Sequence, residues 1–176
     1  MFKVLIIDDE EIIREGLIKT IDWNGMSCTV VGEAEDGEDG LRLIGTLKPD
    51  LVLTDIRMPG IDGLEMISRI KAEKHDCKII IITGFRQFEY AQEAVRLGAF
   101  RLLLKPTRTE ELTATIEEAI KDIKKKRYSE EEYKNMQKKV KEYFGIKDNS
   151  VSNSTASDEP GGSNSTYMVN RALAYM

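Results

Sequence analysis

The chain has 176 residues, enough for one ordinary domain and an appendage, and its 41% apolar and 32% charged residues suit a folded core. A net charge of −5 with a pI near 5.1 argues against binding nucleic acid through bulk charge. Two cysteines and one histidine exclude a disulfide framework, a four-cysteine zinc site and a histidine metal cluster.

The first apolar run, Phe2–Ile7, reads as a strand. It ends on Asp8, Asp9 and Glu10 without a small-residue cleavage site, so it is not a secretory leader. No apolar run reaches the ~18 residues of a membrane span. The expected setting is therefore the cytoplasm, with no membrane partner. Ile13, Leu17 and Ile21 then recur at helical spacing. The second strand is Cys28–Ala34 and the third is Leu51–Thr54, followed by Asp55 and the turn residues Pro59 and Gly60. Leu64, Ile67 and Ile70 mark the third helix. Lys78–Thr83 is the fourth strand, and Phe88, Ala91 and Val95 form the expected inward stripe of the fourth helix. The fifth strand, Arg101–Leu104, runs into Lys105 and Pro106. A last helix starts at Thr109, with Glu110 and Glu111 in its first turn and Leu112, Ile116, Ala119 and Ile123 on one side. Continuous rather than alternating apolarity marks strands covered on both faces. Strand–helix alternation five times over predicts an α/β fold, a five-stranded parallel sheet with helices on both faces.

Composition divides the chain further. The globular domain is expected over 1–127 and a helical extension over 128–145, dense in Lys and Glu. A flexible Ser- and Asn-rich linker is expected over 146–166 and a short helix over 167–176.

Ligands of parallel sheets sit beyond the carboxyl ends of the strands. There the sequence places three carboxylates (Asp8, Asp9, Asp55), the Thr83 hydroxyl and the Lys105 ammonium. Taken singly, Asp8 and Asp9 read as helix-capping acids, Asp55 as a turn acid, Thr83 as a cap and Lys105 as a surface charge. Their coincidence at one end of different strands points to a site. Clustered carboxylates repel unless a divalent cation offsets them, and hard oxygen donors favour Mg²⁺ or Mn²⁺. A phosphoryl group fits beside such a cation, since its chemistry is mostly positioning and charge stabilisation.

The segments V-L-I-I-D-D-E, D-I-R-M-P-G-I-D-G-L-E, I-I-I-I-T-G and L-L-L-K-P, in that order over about residues 1–125, resemble the receiver domain of two-component response regulators. The resemblance implies strand order 2-1-3-4-5. It implies that Asp55 is the phosphoacceptor, attacking a phosphohistidine on a sensor histidine kinase. Mg²⁺ would be bound by Asp9, Asp55 and the backbone carbonyl of Arg57, with Asp8 acting through water. Thr83 and Lys105 would contact the phosphoryl oxygens, Pro106 would follow Lys105 through a cis bond, and Gly60 and Gly63 would shape the loop after Asp55. Such domains assist their own phosphorylation and dephosphorylation and are not enzymes in the ordinary sense. Many pair on phosphorylation through the fourth helix, fifth strand and last helix, so a homodimer on that face is implied. One position departs from the pattern. Leu102 stands where a Tyr or Phe usually lies three residues before the lysine, and leucine cannot make the inward ring rotation.

The segment G-F-R-Q-F-E-Y-A-Q-E-A-V-R-L-G-A further resembles regulators with an AraC-type helix-turn-helix output. Residues 167–176 then read as the first helix of that output domain. DNA binding would belong to the helices missing after it. Two alternatives from other classes stand beside this reading. A Mg²⁺-dependent aspartyl-phosphate phosphatase usually carries a second Asp two residues after the nucleophile, where this chain has Arg57. A phosphorylation-independent interaction module would have no use for Asp9, Asp55, Thr83 and Lys105 together. Cys28 and Cys77 start strands that are not neighbours in the implied order, so no bridge is expected between them.

Overall fold

The computed structural model describes residues 1–143. In chain order the elements are β1 (Phe2–Ile7), α1 (Glu11–Thr20), β2 (Cys28–Ala34), α2 (Gly37–Leu47), β3 (Leu51–Thr54), α3 (Gly63–Ala72), β4 (Lys78–Thr83), α4 (Phe88–Leu97), β5 (Arg101–Leu104) and α5 (Thr109–Tyr143). All five strands pair in parallel in one sheet, in the order β2-β1-β3-β4-β5. The strands keep the bounds expected from their apolar runs.

The alternation of side chains across the pleat divides the core in two. Val4, Ile6, Leu51, Leu53, Ile80 and Ile82 pack on one face against Leu112, Ile116, Ala119, Ile120 and Ile123 of α5, with Leu17 and Ile18 of α1. Leu5, Ile7, Val52, Ile79 and Ile81 pack on the other face against Ile44 of α2 and Met66, Ile67 and Ile70 of α3. Each fully buried aliphatic side chain contributes roughly 1.5–3 kcal/mol of burial free energy. Such layering sets the register of every strand, because a one-residue slip would turn its core residues to the wrong face.

The fourth helix differs from expectation. Phe88 and Val95 are 73% and 77% exposed, and α4 instead buries Ala94, with Tyr90 and Leu97 packed against the second core layer. Apolar residues at 88, 90, 91, 94, 95 and 97 surround much of this short helix. Spacing alone is compatible with more than one phase, and contact with the sheet selects between them.

The chain divides into two compact units, Met1–Lys124 and Lys125–Met176. Both core layers lie in the first unit. In the second, residues 125–143 are helical and mostly exposed. Residues 144–145 of the expected helical extension, the expected linker 146–166 and the expected helix 167–176 lie outside the described residues.

Candidate functional site

The sheet ladder runs on past the strands and fixes the residues that follow them. The Asp8 amide donates to the Ala34 carbonyl (3.1 Å), the Asp55 amide to the Ile7 carbonyl (3.1 Å) and the Lys105 amide to the Thr83 carbonyl (2.8 Å). Asp8, Asp55 and Lys105 are thereby held to one rim by backbone geometry before any side chain interacts. Asp8, Asp9 and Asp55 each offer a carboxylate oxygen, and these lie within 4.8 Å of one another. Asp8 and Asp55 are buried while Asp9 is exposed. Neither Asp8 nor Asp9 caps α1: the N-cap is Glu10, which makes no side-chain capping bond.

The Lys105 ammonium bridges two of the acids, donating to Asp8 Oδ2 and Asp55 Oδ2 at 2.8 Å each, with Glu10 Oε1 at 3.6 Å. Burial pulls the lysine pKa down. The hydrogen bonds to Asp55 and Asp8 and the two negative charges outweigh it, and the net shift is upward. At Asp8 burial raises the carboxyl, and the Asp55 charge adds to this. The hydrogen bonds from Lys105 and the Glu10 amide oppose it without cancelling it. The Asp55 carboxylate also accepts from its own loop, at Oδ1 from the Ile56 amide (2.5 Å) and the Arg57 amide (3.4 Å). Thr83 is fully buried at the end of β4, and its Oγ1 accepts from the Phe85 amide at 3.4 Å. The Lys105–Pro106 bond is cis.

Two glycines shape the loop that carries Asp55. Gly60 has φ +71°, a conformation that side chains with a Cβ rarely adopt. Gly63 starts α3 so close to Asp55 that a Cβ would lie 2.1 Å from the Asp55 carbonyl oxygen.

Residues 4–117 match the response regulator receiver domain family. The chain belongs to that family. It is 46% identical over 121 residues to the transcriptional regulatory protein YdfI of Bacillus subtilis, covering 69% of this chain and 56% of YdfI. It is 37% identical over 125 residues to the transcriptional regulatory protein YesN of the same organism, covering 71% of this chain and 34% of YesN. The chain thus spans between about a third and just over half of these relatives. Among solved structures, the receiver domain of the response regulator AraT from Geobacillus stearothermophilus is 43% identical, with a TM-score of 0.62, covering 74% of this chain and 98% of that one.

The receiver domain brings Asp8, Asp9, Asp55 and Lys105 together at the rim, whereas the Thr83 hydroxyl contacts the Phe85 amide rather than the carboxylates. Leu102 is half-buried and packs with the second core layer. Two features were not anticipated. Arg57 leaves the Asp55 loop to lie over the Phe85 ring (4.8 Å) and donates to the Tyr90 hydroxyl (3.0 Å), while Phe85 and Tyr90 meet edge to face at 6.2 Å. That cluster joins the loops after β3 and β4 to α4. The other is Arg14, whose guanidinium is buried beneath the β1–α1 turn and donates to the Asp8 carbonyl oxygen. Its helical context reads as an ordinary solvent-facing arginine, so only the partner on β2, Glu33, could have signalled it.

Proposed function

We propose that this receiver domain accepts a phosphoryl group on Asp55 from a phosphohistidine of a sensor histidine kinase and thereby controls a transcriptional output. The observation that carries this is the buried Asp55 carboxylate held 2.8 Å from the Lys105 ammonium, with Asp8 and Asp9 in reach of the same point. An Asp55 oxygen forms the new bond to phosphorus. The phosphorus–nitrogen bond breaks, and its electron pair stays on the imidazole nitrogen. The transferred group brings about −1.5 to −2 of charge into an acidic pocket. Lys105 would pair with its oxygens, and the Thr83 hydroxyl would donate to one of them. The all-oxygen donor set fits Mg²⁺, which takes one or two carboxylates and keeps several waters. Asp9, Asp55 and the Arg57 backbone carbonyl would hold it, with Asp8 acting through water. Bound there, the cation neutralises phosphoryl charge. The same groups would assist the later hydrolysis of the aspartyl phosphate.

In this reading the receiver occupies 1–127, the helical extension 128–145 and a linker 146–166, and 167–176 begins an AraC-type output domain. DNA binding belongs to the output, the cytoplasm is the compartment, and phosphorylation favours a homodimer through α4, β5 and α5. The exposed apolar side chains of Phe88 and Val95 on α4 and Leu104 on β5 support the last point.

Incubation with acetyl phosphate and Mg²⁺, followed by intact-mass measurement, tests the core of the proposal. A single phosphoryl adduct is expected, lost in Asp55→Ala and in EDTA. Undiminished labelling of Asp55→Ala would overturn the assignment.

A further inference from the structure

Arg14 is the buried charge of the site that the phosphoryl chemistry above does not use. It sits in the first turns of α1, and its side chain is 11% exposed. Burying a guanidinium is costly unless its donors are matched. Here two different nitrogens are matched. One terminal nitrogen donates to the Asp8 carbonyl oxygen at 2.7 Å, and Nε pairs with Glu33 Oε2 at 3.2 Å. Glu33 lies on β2 beside Ile6 of β1. A single planar group therefore ties three elements together: α1, the end of β1 and β2.

The bond reaches the main chain at a consequential place. The Asp8 carbonyl belongs to the peptide that joins Asp8 to Asp9. That peptide is planar, so holding its oxygen also fixes the Asp9 nitrogen and Cα, the root from which the Asp9 side chain leaves. The other polar groups of Asp8 are held as well, its amide by Ala34 and its carboxylate by Lys105 and the Glu10 amide. Asp9 is exposed, and its carboxylate has no comparable burial to fix it.

We propose that Arg14 is a positioning residue for the cation site, whose two-nitrogen hold on the Asp8 carbonyl and Glu33 aims the Asp9 carboxylate at the point it shares with Asp8 and Asp55. This rests on the reading of that point as a Mg²⁺ site. Groups that orient metal ligands typically affect metal affinity by 10–100-fold. Lysine is no substitute here, because it carries one nitrogen where the site uses two in fixed relation.

Calorimetric Mg²⁺ titration of the full chain, with Arg14→Met, Arg14→Lys and Asp9→Asn, tests the proposal. Thermal unfolding in EDTA serves as the check on folding. Arg14→Met is expected to weaken Mg²⁺ by about 10-fold. In acetyl phosphate labelling, the Mg²⁺ concentration for half-maximal rate should rise in parallel, while the rate at saturating Mg²⁺ stays near that of the parent. A purely structural arginine would not produce that split. Arg14→Lys should fall between the parent and Arg14→Met, and it decides the matter if Arg14→Met does not fold. Parent-like Mg²⁺ affinity in a folded Arg14→Met, or in Arg14→Lys, overturns the positioning role. Undiminished Mg²⁺ binding in Asp9→Asn would instead bring down the metal reading on which the role rests.

Discussion

Asp8 shows how one residue can serve a site at a cost to the fold. Burial, and then the Asp55 charge, hold its carboxyl above the ordinary 3.8 despite the Lys105 hydrogen bond. The folded state therefore binds the Asp8 proton more tightly than the unfolded chain does. By linkage, the penalty for ionising Asp8 is absent below pH 3.8, develops as pH rises through the raised folded value, and is complete above it. Lys105 has the opposite sense. Its raised pKa adds stability that is fully present below 10.5 and is lost as pH passes the folded value. Replacing Asp8 by asparagine removes the ionisation while keeping an oxygen to accept from Lys105 and the Glu10 amide. Asp8→Asn is thus expected to raise the thermal midpoint at neutral pH in EDTA and to flatten the fall of stability as pH rises above 3.8. A lower midpoint would mean that the Lys105 ion pair outweighs the burial of the charge. The grouping of Asp8, Asp9, Asp55 and Lys105 at one rim was legible because each stands next to an apolar run whose end is unmistakable. Arg14 and the Arg57–Phe85–Tyr90 cluster were not, since Glu33 lies 19 residues from Arg14 and Tyr90 lies 33 from Arg57, and only the folded chain brings them together.

At the scale of elements, legibility follows how completely each one is buried. The central strands β1, β3 and β4 are buried on both faces and show as apolar runs, the edge strands β2 and β5 are only partly buried, and all five keep the expected bounds. A helix is covered on one side, so its phase must be inferred from spacing. In α3 and the first turns of α5 that inference holds, because polar residues fill the opposite side. In α4 it fails for Phe88 and Val95, because apolar residues occur on both sides of the helix. The observed phase has a direct energetic consequence. Val95→Ala should change stability by no more than about 0.5 kcal/mol, as for an ordinary surface site. Ile81→Ala, on β4 beneath α4, removes a fully buried side chain and should cost about 2–5 kcal/mol. Urea unfolding of the two variants separates the alternatives. A loss above ~2 kcal/mol in Val95→Ala would restore the inward stripe first read from the sequence.

At the scale of the whole molecule, the residues that hold the fold and those that form the site belong to the same unit. Among the described residues, the two core layers extend from Phe2 to Ile123, and the site lies between Asp8 and Lys105. The family match ends at residue 117, and the first compact unit ends at Lys124. Beyond Ile123, every residue of α5 from Lys124 to Met136 is exposed, so this stretch of helix buries little of its own apolar surface. Helix propensity without such burial adds little stability in water, where even isolated helices of ~12–15 residues are marginal. A fragment of residues 1–124 is therefore expected to fold on its own, with a thermal midpoint within about 2–4 °C of the full chain, the shift that corresponds to ~1 kcal/mol at this size. It should take up one phosphoryl group from acetyl phosphate at the same rate and with the same Mg²⁺ dependence, because none of the site residues lies beyond Lys105. Scanning calorimetry and intact-mass labelling of the fragment provide the check. A fragment that is unfolded, or folded yet unlabelled, would show that the long helix beyond Lys124 contributes to the receiver itself.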